Sequence, residues 1–190
     1  MYQKLLKKSK LFWILKKIDE TIAGEARDRG CLCGGKLHQA NYPRKPRGSP
    51  VGDRKDFQRR LSFCCSREGC RRRTTPPSVL FLGGKVYFSA LIVIISARRL
   101  ETPQKRINEL CGLVGVRPRT LHRWLKWWRE DFVRSEHWIA EQGRFRTCPK
   151  QTKLPLSLLD SFNRKGPAHK LALLLRFIAP LTTSSFGPTF

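Results

Sequence analysis

The chain has 190 residues, enough for one ordinary domain or two small ones, and its 39 Lys+Arg against 14 Asp+Glu give a formal charge of +25. So lopsided a balance points to a polyanionic partner, with nucleic acid ahead of an anionic membrane surface, although charge alone does not separate DNA from RNA. No run approaches the ~20 apolar residues of a membrane span, and a hydrophobic content of 40% is enough for a core, so a membrane-spanning class is excluded and a globular one retained.

The first stretch, "MYQKLLKKSKLFWILKKIDE", begins basic but carries only a short apolar patch, Leu11 to Leu15, with no small-residue cleavage site after it. It is a poor signal peptide, and a cytoplasmic, nucleoid-associated location is expected. Residues 2–23 predict a basic amphipathic helix. Leu11, Leu15, Ile18 and Ile22 share one face, and Lys7, Lys10 and Lys17 lie largely elsewhere. Such a helix can lie on DNA or a membrane, or dock on a core and leave its lysines in water.

Residues 30–78 are rich in Cys, Gly, Pro and Arg and poor in apolar runs, the composition of a small, loop-rich module. "GCLCGGKLH" holds Cys31 and Cys33, and "FCCSREGC" holds Cys64, Cys65 and Cys70. Two close cysteine pairs joined by a linker have the pattern of a four-thiolate tetrahedral zinc site, structural because all four positions are taken by protein. Free thiols and disulfides are the alternatives, and a reducing compartment disfavours disulfides. If "RLSFCC" is a strand, Cys64 and Cys65 point to opposite sides. Cys65 is the expected ligand, because it shares a face with Leu61 and Phe63; Cys31, Cys33 and Cys70 complete the set. His38 is a substitute ligand. Gly34, Gly35 and Gly69 allow tight turns that aim amide N–H groups at the sulfurs, and nearby Arg and Lys favour thiolate. Cys111 and Cys148 read as a small core residue and an incidental thiol.

Between the pairs, "NYPRKPRGSP" alternates Arg44, Lys45 and Arg47 with prolines that keep it extended. Such an arm can follow a phosphate backbone, enter a minor groove, or remain a solvated loop. Arg71, Arg72 and Arg73 follow Cys70 directly, where phosphate contact is expected.

Val86 to Ala97 reads as a buried helix. "TPQKRINELCGLVGVRPRTLHRWLKWWRE" then reads as helix, turn, helix. Thr102 is the predicted N-cap, with Pro103 after it. Ile107, Leu110 and Cys111 form the first helix's apolar face. Gly115 makes the turn, and Val116 plugs the angle. In the second helix Leu121, Trp124, Leu125 and Trp128 recur at three- and four-residue steps as the buried stripe. Arg117, Arg119, Thr120, His122, Arg123 and Lys126 are the donor-rich candidates for reading a major groove, with an ordinary αα-hairpin as the alternative. Trp127 is expected on the exposed side. After Gly143 the periodicity fades, and "TTSSFGPTF" reads as a frayed tail.

The expected fold class is α+β, mostly α: a small zinc ribbon followed by a helical helix-turn-helix domain. The expected organisation is 1–24 basic helix, 25–80 ribbon, 81–140 helix-turn-helix and 141–190 an extension of unassigned role. A ribbon ending in "CRRRTTPPS", an apolar helix, and a helix-turn-helix ending "LHRWLKWW" together resemble the N-terminal region of bacterial insertion-sequence transposases, over residues 30–130. That resemblance implies zinc on Cys31, Cys33, Cys65 and Cys70. It also implies a DNA-reading surface from Arg117 to Lys126, and a transposase or a homodimer as partner. Those enzymes cut DNA with an acidic, metal-binding triad. Glu130, Asp131, Glu136, Glu141 and Asp160 form no strand-borne triad, so no catalysis is expected here. The expected function is a zinc-stabilised, transposase-associated protein that binds duplex DNA. An RNA-binding or ribonucleoprotein-associated ribbon protein and a transcriptional regulator are the alternatives.

Overall fold

The computed structural model describes residues 9–44, 46–47, 55–83, 85–99, 103–113, 115–163 and 166–183. Lys7, Lys45, the predicted cap Thr102 and the end of the tail from 184 lie outside the described residues, as does the side chain of Leu110. The described residues form helices α1 (Ser9–Asp28), α2 (Ser89–Arg99), α3 (Gln104–Leu113), α4 (Pro118–Arg129), α5 (Asp131–Arg134), α6 (Glu136–Glu141), α7 (Leu156–Ser161) and α8 (Pro167–Ile178). The strands are short: β1 (Leu37–Gln39), β2 (Tyr42–Pro43), β3 (Arg59–Arg60), β4 (Phe63–Cys65) and β5 (Arg73–Thr74). They make an antiparallel sheet in the order β1-β4-β5 and an antiparallel pair β2-β3. The class is α+β, mainly helical, with small antiparallel sheets.

α2 is apolar on every side, and residues 89–97 are all buried, the placement such a helix requires. It is the centre of the body and packs against α3, α4, α7 and α8. Around it one continuous core takes Leu11, Phe12 and Leu15 from α1, Val79 to Leu82 from the segment before α2, and Trp124, Trp127 and Trp128 from α4. Trp127 is therefore buried, not exposed as the sequence suggests. It meets Trp128 edge-on at 4.8 Å and Phe132 at 5.7 Å, because α5 turns back over that side of α4.

The same core takes Leu158 and Leu159 from α7, and Leu171, Leu174, Leu175 and Ile178 from α8. The residues beyond 143 thus contribute structure where the periodicity reading ends. The four apolar positions of α8 fall at helical spacing, and Pro167 follows Gly166, whose φ of 94° suits glycine.

α1 docks on the core through its apolar face, with Ile18 and Ile22 packed at the margin. It runs on past the predicted end at residue 23, and Ala23 joins a second, smaller cluster with Cys31, Leu37, Phe63 and Cys65. The carboxylate of Asp19 is also buried on that face. It accepts from Ser78 Oγ and from the Val79 amide, each at 2.5 Å. The Ser78 amide in turn donates to Thr182 Oγ1 at 2.9 Å, so three distant segments of chain meet at one polar joint. Arg60 is buried nearby and donates to the Pro76 carbonyl at 2.5 Å. No helix among the described residues is long and apolar enough to cross a membrane.

Candidate metal centre and nucleic-acid interface

The smaller cluster is built around sulfur. β4 alternates buried, half-buried, buried, so Cys65 faces in with Phe63 while Cys64 faces away. β1 lies across from it, with Leu37 opposite Cys65 and His38 opposite Cys64. Just after α1 the chain makes a tight knuckle. Gly34 N–H donates to the Cys31 carbonyl at 2.8 Å, and Cys31 N–H to the Gly35 carbonyl at 3.0 Å. The φ of 81° at Gly34 is the reason for glycine there. A second turn follows β4, where Cys70 N–H donates to the Arg67 carbonyl at 3.1 Å and Gly69 takes φ 83°.

These two turns bring Cys31, Cys33, Cys65 and Cys70 together, with all four sulfurs within 4.8 Å of one another. Cys31 and Cys70 sulfurs stand 3.8 Å apart, and those of Cys33 and Cys65 3.4 Å. Four sulfurs at ~2.3 Å from a tetrahedral ion would be separated by about 3.8 Å, so the set is compatible with a bound metal. Both distances are well beyond the ~2.05 Å of a disulfide. The donor set matches the one read from the sequence, including Cys65 over Cys64. His38 is exposed and outside the group; half-buried Cys64 is outside it too, with its thiol 3.3 Å from the Arg71 carbonyl.

The electrostatics suit a cation. The Gly35 amide, with help from the neighbouring thiols, draws the Cys33 thiol down to about 6. The Arg67 amide, 3.4 Å from Cys65 Sγ, pulls the same way, but burial and the other three sulfurs push Cys65 up to about 12. One thiolate forms readily and the next is resisted, a repulsion that a dication relieves. Gly35 is also a steric requirement. A Cβ there would stand 2.5 Å from Cys65 Sγ and 3.3 Å from Cys33 Sγ. Gly35→Ala is therefore expected to abolish metal loading, whereas Gly34→Ala, with open space around its Cβ position, is expected to keep it at reduced stability. Metal content of the two purified variants checks this, and equal loading would contradict the geometry.

The basic candidates divide into groups. Arg44 is tied inward: its Nη2 donates to the carbonyls of Gly83 at 2.5 Å and Lys85 at 2.9 Å, over the Phe81 ring. Arg47 is exposed and lies 6.0 Å over Tyr87. Arg71, Arg72 and Arg73 are all exposed; Arg73 reaches the Ala40 carbonyl at 3.3 Å and lies over Tyr42.

The last group lies on α4. Gly115, at φ 65°, makes the turn from α3, and Val116 N–H donates to the Cys111 carbonyl at 2.8 Å while its side chain is buried. Cys111 is buried in the joint between the helices, and burial pushes its thiol up; Cys148 is exposed. Leu121, Trp124 and Trp128 face the core. Arg117, Arg119, His122, Arg123 and Lys126 are exposed, and Thr120 is half-buried. Lys126 pairs with Glu130 at 3.7 Å, an exposed contact of small energetic weight.

Sequence reasoning missed Asp19, Arg60, Lys85 and Tyr87. Asp19 left a signal, a single carboxylate inside the apolar stripe of α1. No family model matches the chain, and neither a curated protein nor a solved structure matches it.

Proposed function

We propose that this chain is a zinc-stabilised, helix-turn-helix protein that binds duplex DNA, of the type that accompanies transposition. The observation that carries the reading is α4. One side of it is sealed into the core by Leu121, Trp124 and Trp128, and the other offers Arg119, His122, Arg123 and Lys126 to solvent. A helix so held, after a glycine turn, suits entry into a major groove, where Arg binds guanine edges and the wider basic surface binds phosphate. Zinc is the natural occupant of the four-thiol set, because a closed thiolate site favours a soft, redox-silent ion. It would hold the ribbon together with no open position for catalysis.

Selection of bound duplexes from a random pool, at near-physiological salt, tests the reading. One enriched motif is expected, with affinity falling steeply as salt rises. Arg123→Ala should then cost ~1–3 kcal/mol at one position of that motif. Retention without enrichment, or preference for structured RNA at matched salt, would replace this proposal with the ribonucleoprotein reading.

A further inference from the structure

A cleft of about 530 Å³ opens between α3 and α4, where α2 ends at Arg99. Its floor is apolar: buried Cys111, Val116 and Leu121, with half-buried Leu125 beside them. Its rim carries Arg99, Arg117 and His122, and no carboxylate stands among the described residues that line it. Among the described residues, Arg99 and Arg117 also enter no ion pair. On the α3 wall Gln104 Nε2 donates to Asn108 Oδ1 at 2.7 Å, so the donor end of Asn108 is its Nδ2 group. Gly112 lines the same wall, and neither conformation nor crowding calls for glycine there. Its φ is not left-handed, and a Cβ would meet nothing within 4 Å. Alanine, a better helix former, would fit. Glycine leaves this wall of the cleft bare.

An apolar floor of this size under a few polar groups is the build of a small-molecule site. The charge of the rim selects the ligand. A guanidinium grips a carboxylate or sulfonate through paired N–H donors, and half-buried Arg99 does so where salt screens less. We infer that this cleft binds a small organic acid, with its apolar body on the floor and its anionic head on Arg99 and Arg117. A nucleic-acid phosphate would use the rim alone, whereas the floor suits a ring-sized apolar body. The inference goes beyond the proposed DNA binding and does not rest on it.

The test uses the full chain and two fluorescent probes with the same rings, anilinonaphthalene sulfonate and its uncharged counterpart N-phenylnaphthylamine. Wild type should bind one equivalent of the sulfonate, and the uncharged probe about tenfold more weakly, the loss of one charged contact. Arg99→Gln and Arg117→Gln should each weaken the sulfonate by about tenfold and leave the uncharged probe as it is. Gly112→Phe, which puts a ring into the cleft and keeps every charge, should abolish binding, whereas Gly112→Ala should retain it. Arg176→Gln, exposed on α8 and outside the lining, should bind like wild type. Thermal unfolding confirms that each variant is folded; should Gly112→Phe fail there, the two glutamine variants decide. No binding by wild type, or equal binding by folded Gly112→Phe, would overturn the site. Equal affinity for the two probes would overturn its preference for an acid. A failed duplex selection would remove the proposed DNA binding and leave this site standing.

Discussion

Serine in place of Cys65 is expected to unfold the module between residues 31 and 74 while the helical body stays folded. Cys65 lies in the middle of the group, buried, on the central strand of the β1-β4-β5 sheet. Apart from sulfur, the cluster beneath it contains, among the described residues, Ala23, Leu37 and Phe63, with Leu61 at its edge. That is far less apolar surface than a self-sufficient core needs, so a metal bound by the four thiols would supply most of the stability, of order 10–16 kcal/mol for zinc. The helical body instead has a core running from Leu11 to Leu181. Wild type should hold one metal ion per chain and show the thiolate charge-transfer band with cobalt. Cys65→Ser should show neither and should be cut rapidly by protease within the module, with most helical circular dichroism retained. Cys64→Ser is the control and should load normally, because that sulfur points away. Normal loading of Cys65→Ser would refute the assigned ligand set.

The second large effect concerns Asp19. Replacing it with alanine removes the acceptor of Ser78 Oγ and of the Val79 amide, both buried. Each orphaned donor costs about 1–3 kcal/mol, so a loss of about 3 kcal/mol is expected by chemical denaturation. The pH dependence has a definite sign. Burial raises the Asp19 carboxyl from 3.8 to about 6, against the opposing pull of Ser78, Val79 and Arg60. The folded chain therefore binds this proton more tightly than the unfolded one. The stability it contributes is fully present below pH 4 and is lost as pH rises through 6, a swing of about 3 kcal/mol at most. Asp19→Asn should abolish that component. The stability of wild type minus that of the variant should fall between pH 4 and pH 7, and a flat difference would mean the carboxyl is not buried as described.

What was legible in the sequence was local. The four clustered cysteines could be named because alternation along "FCC" separates Cys64 from Cys65, and because glycines mark the turns on which the other sulfurs sit. The buried stripe of α4 could be named because its tryptophans repeat at helical spacing within one element. What was illegible depended on distant partners. Asp19 and Ser78 are polar residues whose burial makes sense only once they are brought together. Trp127 falls on the outward side of α4 taken alone, and it is α5 that covers it. Arg44 reads as one more cation of the arm, yet it is held by two carbonyls about forty residues away along the chain. The helical spacing in α8 was present but lay beyond a stretch with no period, and α7 is too short to display one.

α1 belongs to both clusters at once, with Leu11, Phe12 and Leu15 in the body and Ala23 against the cysteine cluster. A helix joining two such sockets acts as a key cut at both ends. Each residue added between Leu15 and Ala23 would turn one end by about 100° against the other and shift it by about 1.5 Å. The number of residues between those ends is thus set by rotational phase, and a single insertion or deletion there would misalign the two ends more than many substitutions along the helix's exposed side.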